Sequence, residues 1–585
     1  MARESGQRMR SAKTWALAGL CALLAVAAGF YPWPIGGQRA TAALDSLLGP
    51  AARLHWRLPE RVSFTLLPMP GLRLLDAELL DAGDKSVLAA PVVQVGLSPA
   101  GLLEGVFTPV SATLLKPTML VDLDAIGEAL SRELEAQPAL ARIEVQGGIA
   151  RIVSAERRLD ASMENVDGRI EWIEVGRPLR FSISAIRRGE TVAADGHVDA
   201  PLNLRSGEPS GARINITTPA ADMVFDGTLN PTREAKFDGT VTADIRSPGA
   251  VAGWLGFGES PPVFAKEILL NGKAVGSRNS LALNETQLEI NGQRFEGSLD
   301  ISRIGPKMSA SGTLAARALD MAALLGAPPT FLDAAGRWSR PPVIPEPSDR
   351  LDLDLRVSAS RATWGGHTLG DAAASLQQRD GRLTLKLLDG TAYQGALSGE
   401  ASVQRSTAGL ETTASASLED ADLGALLSEW GASTYSGRGG MKAKLHAVGA
   451  SPAELAASLS GTATLDLQEG AIAGVNFEEA LRRSLRRPVD VTRDMAIGQT
   501  KFASARAELQ IEDGQAKIVE AQTEGPGAII SAQGVIDIVA REWRAEIHAI
   551  QAGALGAPSA DAARLTLALR GPWASPTIVA LTNWD

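Results

Sequence analysis

Residues 461–477 read Gly-Thr-Ala-Thr-Leu-Asp-Leu-Gln-Glu-Gly-Ala-Ile-Ala-Gly-Val-Asn-Phe. Thr462, Thr464 and Asp466 alternate with Ala463, Leu465 and Leu467, the period of two expected of a half-buried strand. Phe477, Leu481 and Leu485 then recur every fourth residue and put one apolar stripe on a short helix, which Pro488 stops. Thr500-Lys501-Phe502, the Asp513-Gly514 turn and Gly534-Val535-Ile536-Asp537 return the chain to strands. Strands, one amphipathic helix and more strands are therefore expected over residues 461–537.

The rest of the chain continues that pattern. A length of 585 residues exceeds one ordinary domain. The composition is 45% hydrophobic but only 4% aromatic, with 59 glycines, which suits many short strands built from Ala, Val, Leu and Ile. A net charge of −10 lacks the basic footprint of a nucleic-acid binder. The single cysteine, Cys21, excludes a disulfide within the chain and any cysteine-based metal site.

At the N-terminus, Arg3, Arg8, Arg10 and Lys13 precede an uncharged run from Thr14 to Phe30. Within and beyond it lie Trp15, Leu17, Leu20, Leu23, Leu24, Val26 and Phe30, then Tyr31 and Trp33 as an interfacial belt. Seventeen helical residues rise about 26 Å, enough to cross a hydrocarbon core. The positive flank places residues 1–13 in the cytoplasm, an anchor at 14–35, and the remainder in the periplasm. The alternative is a cleavable leader, with Ala25-Val26-Ala27 as its A-x-A site. Short helices are expected at Thr41–Leu48 and Leu120–Gln137. Hairpins are expected at Gly147-Gly148, Asn291-Gly292 and Asp389-Gly390. Three strand-then-helix units recur: Val251/Trp254/Leu255, Met321/Leu324/Leu325, and Leu423/Leu426/Leu427/Trp430, each followed by a glycine. Ser451-Pro452-Ala453-Glu454 carries a capping box. Arg340–Pro347, with four prolines, is a loop separating two sections of sheet.

The C-terminal pattern resembles that of the AsmA family of bacterial envelope proteins. The residues that carry the resemblance are Gly470, Ile472, Gly474, Asn476, Phe477, Thr500, Phe502, Gly514, Gly534 and Asp537. Asn476 stands where Asp is common, and Gln533 precedes Gly534 without a second glycine. Near the other end, Val62-Ser63-Phe64 leading into Leu67-Pro68-Met69-Pro70-Gly71-Leu72 is also similar to the family, as is the ending Gly571-Pro572-Trp573-Ala574-Ser575-Pro576. The resemblance implies a mainly β protein with a few short helices: a transmembrane helix followed by a long, curled, antiparallel sheet forming an elongated groove. It divides the chain into a β-rich body at 36–440 and a C-terminal region at 441–585. It also implies anchorage in the inner membrane, a periplasmic bulk, and a part in envelope homeostasis and outer-membrane biogenesis, with phospholipid or another acyl lipid as partner.

Motif chemistry is sparse. There is no H-E-x-x-H, no G-x-S-x-G and no G-x-x-x-x-G-K-[ST], and Gly256-Phe257-Gly258 lacks the third glycine of a dinucleotide fingerprint. His55, His197, His367, His446 and His548 are scattered, and Asp352 and Asp354 share the wet face of one strand. No catalytic, metal or cofactor-binding residue is assigned, and no cofactor is expected. Arg482, Arg483, Arg486 and Arg487 give the helix after Asn476 a basic face suited to an anionic membrane surface; the competing reading is a solvated face of a helix docked on the sheet. A sheet of about 40 strands spaced ~4.8 Å apart would curl, and small apolar residues on its concave face would leave room for acyl chains. The leading expectation is a non-enzymatic handler of lipid. The alternatives are a factor acting on outer-membrane protein assembly through protein contacts, and an envelope hydrolase.

Overall fold

The structure is a computed structural model. It describes residues 20–36, 54–57, 61–122, 141–230, 236–255, 265–304, 307–429, 435–484, 498–552 and 562–581, except 25, 82, 107, 155–158, 175, 278, 350, 408 and 574–575. The chain forms two compact units, Met1–Leu288 and Glu289–Asp585. Both are built mainly from antiparallel strands, as the period-two pattern leads one to expect.

The first unit opens with β1 (Trp33–Pro34), β2 (Leu54–Arg57), β3 (Arg61–Thr65), β4 (Gly71–Asp81), β5 (Ser86–Leu97), β6 (Pro109–Leu115), β7 (Thr118–Asp122) and β8 (Arg142–Ser154). Strand β1 pairs with β3, while β4 takes β2, β3 and β5 as partners. The run continues through β9 (Leu159–Glu171), β10 (Leu179–Arg187), β11 (Glu190–Val198), β12 (Ser210–Thr217), β13 (Ala221–Asn230), β14 (Lys236–Ile245) and β15 (Ile268–Gly276), and β16 spans Ser280–Ile290. From β8 to β15 every strand pairs antiparallel with its successor. Leucine-rich β4 and β5 supply the core here: Leu72, Leu74, Val93, Val95 and Leu97 are all buried together.

The second unit contains β17 (Gln293–Ile304), β18 (Lys307–Asp320), β19 (Leu351–Trp364), β20 (His367–Arg379), β21 (Arg382–Ala392), β22 (Gly395–Ser406), β23 (Gly409–Asp422) and β24 (Tyr435–Val448). After these come β25 (Ser460–Ala473), β26 (Gln499–Glu512), β27 (Gln515–Glu524), β28 (Ala528–Asp537), β29 (Glu542–Gln551), β30 (Arg564–Pro572) and β31 (Thr577–Ala580). Each pairs antiparallel with the next except β18 and β19, which run parallel. Short helices interrupt the strands: α1 (Pro99–Leu103), α2 (Pro201–Ser206), α3 (Pro248–Leu255), α4 (Met321–Leu325), α5 (Leu423–Glu429), α6 (Pro452–Ser458) and α7 (Phe477–Ser484). Local chemistry starts them. Asp320 accepts the Ala322 amide, Asp422 the Ala425 amide, and Ser451 and Glu454 close the expected capping box.

Several expectations are corrected. Gly147-Gly148 does not turn a hairpin. Residues 142–154 are one strand, and Gly147 (φ +62°) marks the place where its parallel partner changes from β6 to β7. Asp389-Gly390 lies inside β21; the turn into β22 is made by Tyr393 and Gln394, both at positive φ. Leu120 belongs to strand β7, and residues 123–137 of the expected helix lie outside the described residues, as does Thr41–Leu48. Asn291 and Gly292 do take the paired positive φ of a tight turn.

The expected transmembrane helix is not found: among the described residues no helix is long and apolar enough to cross a membrane. The chain is helical at 20–24 and 26–30, and Trp33, placed in the anchor from sequence, is instead strand, paired with Phe64. Arg3, Arg8, Arg10, Lys13, Trp15 and Leu17 lie outside the described residues.

The proline segment does more than separate sheet sections. A parallel step between β18 and β19 requires the chain to travel back to the other end of the strands, and residues 326–350 do so as a strap. The Trp364 ring nitrogen donates to the Gly326 carbonyl at one end of β19 (3.0 Å). At the other end, the Trp338 indole donates to the Ile538 carbonyl (2.9 Å), and Arg541 donates to the Gly336 carbonyl while lying 5.5 Å over the Trp573 ring. The Ala453 amide donates to Ser339, the Val343 amide to Ala450, Arg405 pairs with Glu346, and Gln378 donates to Ser348 and Leu351. One irregular segment thus satisfies its own backbone on the ends of several strands. We expect Arg541→Ala to lower the unfolding free energy by about 2 kcal/mol, read from the urea midpoint, because a charged donor and a ring contact are lost together.

Candidate functional site: an apolar sheet face closed at one end

Strand registry in the second unit aligns apolar residues into rows across the sheet. One row runs Leu355, Leu376, Leu385, Ala401, Ala414, Leu445, Gly461, Ile511, Ala516, Ile536 and Trp543, each directly opposite the next. A parallel row runs Val357, Ala374, Leu387, Gly399, Ala416, Ala443, Ala463, Leu509 and Ile518. The first row crosses eleven strands and so extends about 50 Å along the sheet. The opposite face is charged and wet, with Lys386–Glu400, Lys442–Glu419 and Arg506–Asp466 pairs.

The middle of the apolar face is open. Leu385 is 50% exposed, Ala416 is exposed, and Leu387, Ala401, Ala414, Ala443 and Leu445 are only half-buried. A concavity of about 200 Å³ lies over Leu385, Leu387, Ala401, Ala414, Ala416, Ala443 and Leu445. A separate hollow of about 580 Å³ is lined mainly by Glu400, Thr413, Ser415, Lys444, His446 and Ser460, which the register places on the opposite, wet face.

One end of the face is closed by helices. Leu423 and Leu426 of α5 pack with Leu418, Ala421, Leu467 and Phe502. Phe477 and Leu481 of α7 pack with Ile530, Ala549, Leu565 and Leu567. The residues that carried the family resemblance build this closure. The Thr500 hydroxyl donates to the Val475 carbonyl (2.6 Å) and accepts the Phe477 amide (2.9 Å), fixing the entry to α7. Asn476 caps the helix by accepting the Glu479 amide (2.9 Å), a task Asn and Asp perform about equally well, so its departure from the family pattern has no structural consequence here. Gly470 faces Phe502 across the ladder, and a Cβ there would stand 2.1 Å from the Ser436 carbonyl oxygen and 2.3 Å from the Phe502 ring. Gly474 and Gly514 take positive φ in turns, and a Cβ on Gly534 would meet the Arg544 carbonyl at 2.3 Å. Ile472 packs against the α5 cluster.

Asp537 ends β28 and holds the turn that the strap grips. It accepts the Ala540 amide (2.8 Å) and pairs with Arg544 (3.1 Å). The Ala540 amide first, then the Gln515 side chain, hold its carboxyl below the usual carboxylate range.

The basic helix face is accounted for locally. Arg482 and Arg483 both pair with Glu479, one turn back on α7, while Arg486 and Arg487 lie outside the described residues. Leu481 is fully buried, so α7 is docked on the sheet. Three histidines sit beside a carboxylate, His55 by Asp84 (3.2 Å), His197 by Asp199 (3.6 Å) and His446 by Glu411 (3.1 Å), and His548 lies between Gln533 and Thr566. Asp354 accepts from Gln377 (3.3 Å) on the wet face. Among the described residues no group of three His, Cys, Asp or Glu side chains is placed to hold a metal ion.

Residues 265–520 match the model of the AsmA family. This stretch of the chain is similar to the AsmA family. The match takes in β15–β26, the open part of the apolar face, α5 and α7, and the Gly470–Gly514 motif; it amounts to a little under half of the 585 residues. The family-like segments at 62–72 and 571–576, with Gly534 and Asp537, fall outside it. No curated protein and no solved structure is matched by the chain.

Two outcomes follow for the motif. Gly470→Ala should destabilise the protein by about 1–3 kcal/mol in urea unfolding, since the backbone of β24 bars the methyl. Asp537→Asn should narrow its stability gap to wild type as the pH falls. A depressed folded pKa stabilises above the unfolded value of about 3.9 and is lost as the pH drops through the folded value, so the gap is widest at neutral pH. Urea midpoints at pH 7 and pH 3 check this.

Proposed function

We propose that this protein is a non-enzymatic, envelope-associated member of the AsmA type that holds phospholipid acyl chains on the apolar face of its second-unit sheet. The observation that carries the reading is the open middle of that face. Rows of Leu, Ala, Val and Gly run in register across β19–β29, and at β21–β24 they stay open among the described residues. Side chains this small leave a shallow, water-facing apolar floor, which a covering acyl chain would remove from water at about 0.8 kcal/mol per buried methylene. Such contact is non-directional, so the site needs no convergent polar groups. The AsmA-family stretch coincides with this floor and with the helices that close its end. Anchorage of the N-terminus in the inner membrane, with the bulk in the periplasm, belongs to the same proposal; it draws on the uncharged run 14–30 and its basic flank.

The test is native mass spectrometry with lipid extraction on the full chain purified from membranes. Phospholipid should co-purify with wild type and fall at least tenfold in Leu385→Glu/Ala416→Glu, a cost of about 1.4 kcal/mol in binding. Both positions are exposed on the floor, so the urea midpoint should stay close to wild type. A lipid-free wild type of full stability would overturn the reading and favour action through protein contacts on outer-membrane assembly.

A further inference from the structure

The apolar helix that precedes β1 is not separated from the sheet by a linker. Helical residues end at Phe30, and by Trp33 the chain is already paired with Phe64 of β3. The Gly29 carbonyl accepts the amides of both Leu66 (3.0 Å) and Leu67 (2.8 Å), and the Trp33 indole donates back to the Ala28 carbonyl (3.0 Å). A Cβ on Gly29 would lie 2.5 Å from the Leu67 side chain, so the helix rests directly on the β3–β4 loop. Helix and first sheet edge are one body.

That helix is apolar on every side. Leu20, Leu23, Leu24, Val26 and Phe30 are each more than half exposed. A helix apolar all round is stable only in an apolar surrounding. Two neighbouring segments share its character. The β3–β4 loop, Leu66-Leu67-Pro68-Met69-Pro70, carries no charge and exposes Leu66 by 49% and Met69 by 67%. The Pro70 carbonyl accepts the Leu97 amide (2.8 Å), which brings the start of α1 to the same end of the sheet. There Leu103 is 92% exposed and Val106 55%. Glu104 is the one charge between Leu97 and Pro109. Tyr31 and Trp33, ring centroids 5.2 Å apart, sit between the helix and these loops, where amphipathic rings suit a membrane–water boundary.

We propose that the β3–β4 loop and the α1 turn form a membrane-seating surface: Leu66, Met69, Leu103 and Val106 enter the same lipid bilayer surface that receives helix residues 20–30. The occupant is fixed by continuity. Whatever surrounds an all-apolar helix pinned to Leu66 and Leu67 also meets Met69 and, through the Pro70–Leu97 bond, Leu103. The consequence is a sheet whose first edge is set on the membrane at a defined depth instead of swinging on a tether. This rests on the anchor being in the membrane, as proposed above.

Single cysteines, introduced into the full chain after Cys21→Ser, separate the two claims. Positions Leu23, Met69, Leu103 and Asp84 each receive an environment-sensitive fluorophore. The chain is reconstituted into phosphatidylethanolamine/phosphatidylglycerol vesicles containing lipids with a quencher at known depth. Asp84, in the turn at the far end of β4 and β5, is the exposed control. Quenching is expected at Leu23→Cys, at Met69→Cys and Leu103→Cys about 5–10 Å below the headgroup boundary, and not at Asp84→Cys. Quenching at Leu23→Cys alone would overturn the seating surface and leave the anchor standing. No quenching at Leu23→Cys, Met69→Cys or Leu103→Cys would overturn both.

Discussion

Registry across consecutive antiparallel strands is the constraint on which this protein depends. A strand shifted by one residue presents its wet face to the apolar side, so ten strand-to-strand junctions must each preserve parity for the Leu355-to-Trp543 row to exist. Parity is kept even where strand lengths disagree. Leu418 and Ala421 both join one buried cluster although an odd number of steps separates them, because Asp420 takes positive φ and the pairing with β24 shifts there. Glu469 does the same between Leu467 and Ile472. Bulges of this kind also bend and further twist the strand that carries them. Asp420 and Glu469 are thus correctors of phase, and the Glu469-Gly470 pair belongs to the family motif.

A meander has a weakness that the strap offsets. Each strand touches only its sequence neighbours, so stability is a sum of adjacent pairings and the sheet can open at either end. The parallel step between β18 and β19 breaks that locality. Trp338, Ser339, Val343 and Glu346 reach residues more than one hundred positions away at one extreme and about sixty at the other, with Ile538 and Arg405 as partners. Prolines suit such a segment because they reduce the freedom lost on ordering and ask for no backbone donor. Gln378, a buried polar residue, is explained by the two carbonyls it satisfies, Ser348 of the strap and Leu351 at the start of β19.

Much of this was legible in the sequence, and the failures have physical causes. The capping box at Ser451, the Asp513-Gly514 turn and the Phe477/Leu481 stripe are local, decided by residues at most four apart. Gly147-Gly148 misled because the positive φ of Gly147 serves an irregular strand as well as a turn, and Asp389-Gly390 because the pair sits in the register irregularity between Leu387 and Thr391. Tyr393-Gln394 carries no turn signature; the registry of β21 with β22 imposes positive φ on it. The strap's partners were invisible because they are backbone carbonyls at distant strand ends. Thr500 was legible only as a member of a motif, since its two partners become neighbours when β26 pairs with β25.

The two units bury apolar surface by different means, and the difference bears on whether the second sheet has a filled core. In β4 and β5 the inward positions are Leu and Val, and Leu72, Leu74, Val93, Val95 and Leu97 are each at most 4% exposed. Apolar faces meeting about 10 Å apart need side chains of that length to exclude water from both sides. At β22–β25 the inward rows are instead Ala401, Ala414, Ala443 and Ala463 with Gly399 and Gly461. Such rows cannot span that gap, and of the long residues that could, Leu385 is half open to solvent and Leu445 only partly buried. A sandwich would have selected length at these positions. Helices α5 and α7 supply it only at one end, through Leu423, Leu426, Phe477 and Leu481. Short side chains in the middle and long ones at the closure are what a floor kept free of its own core requires.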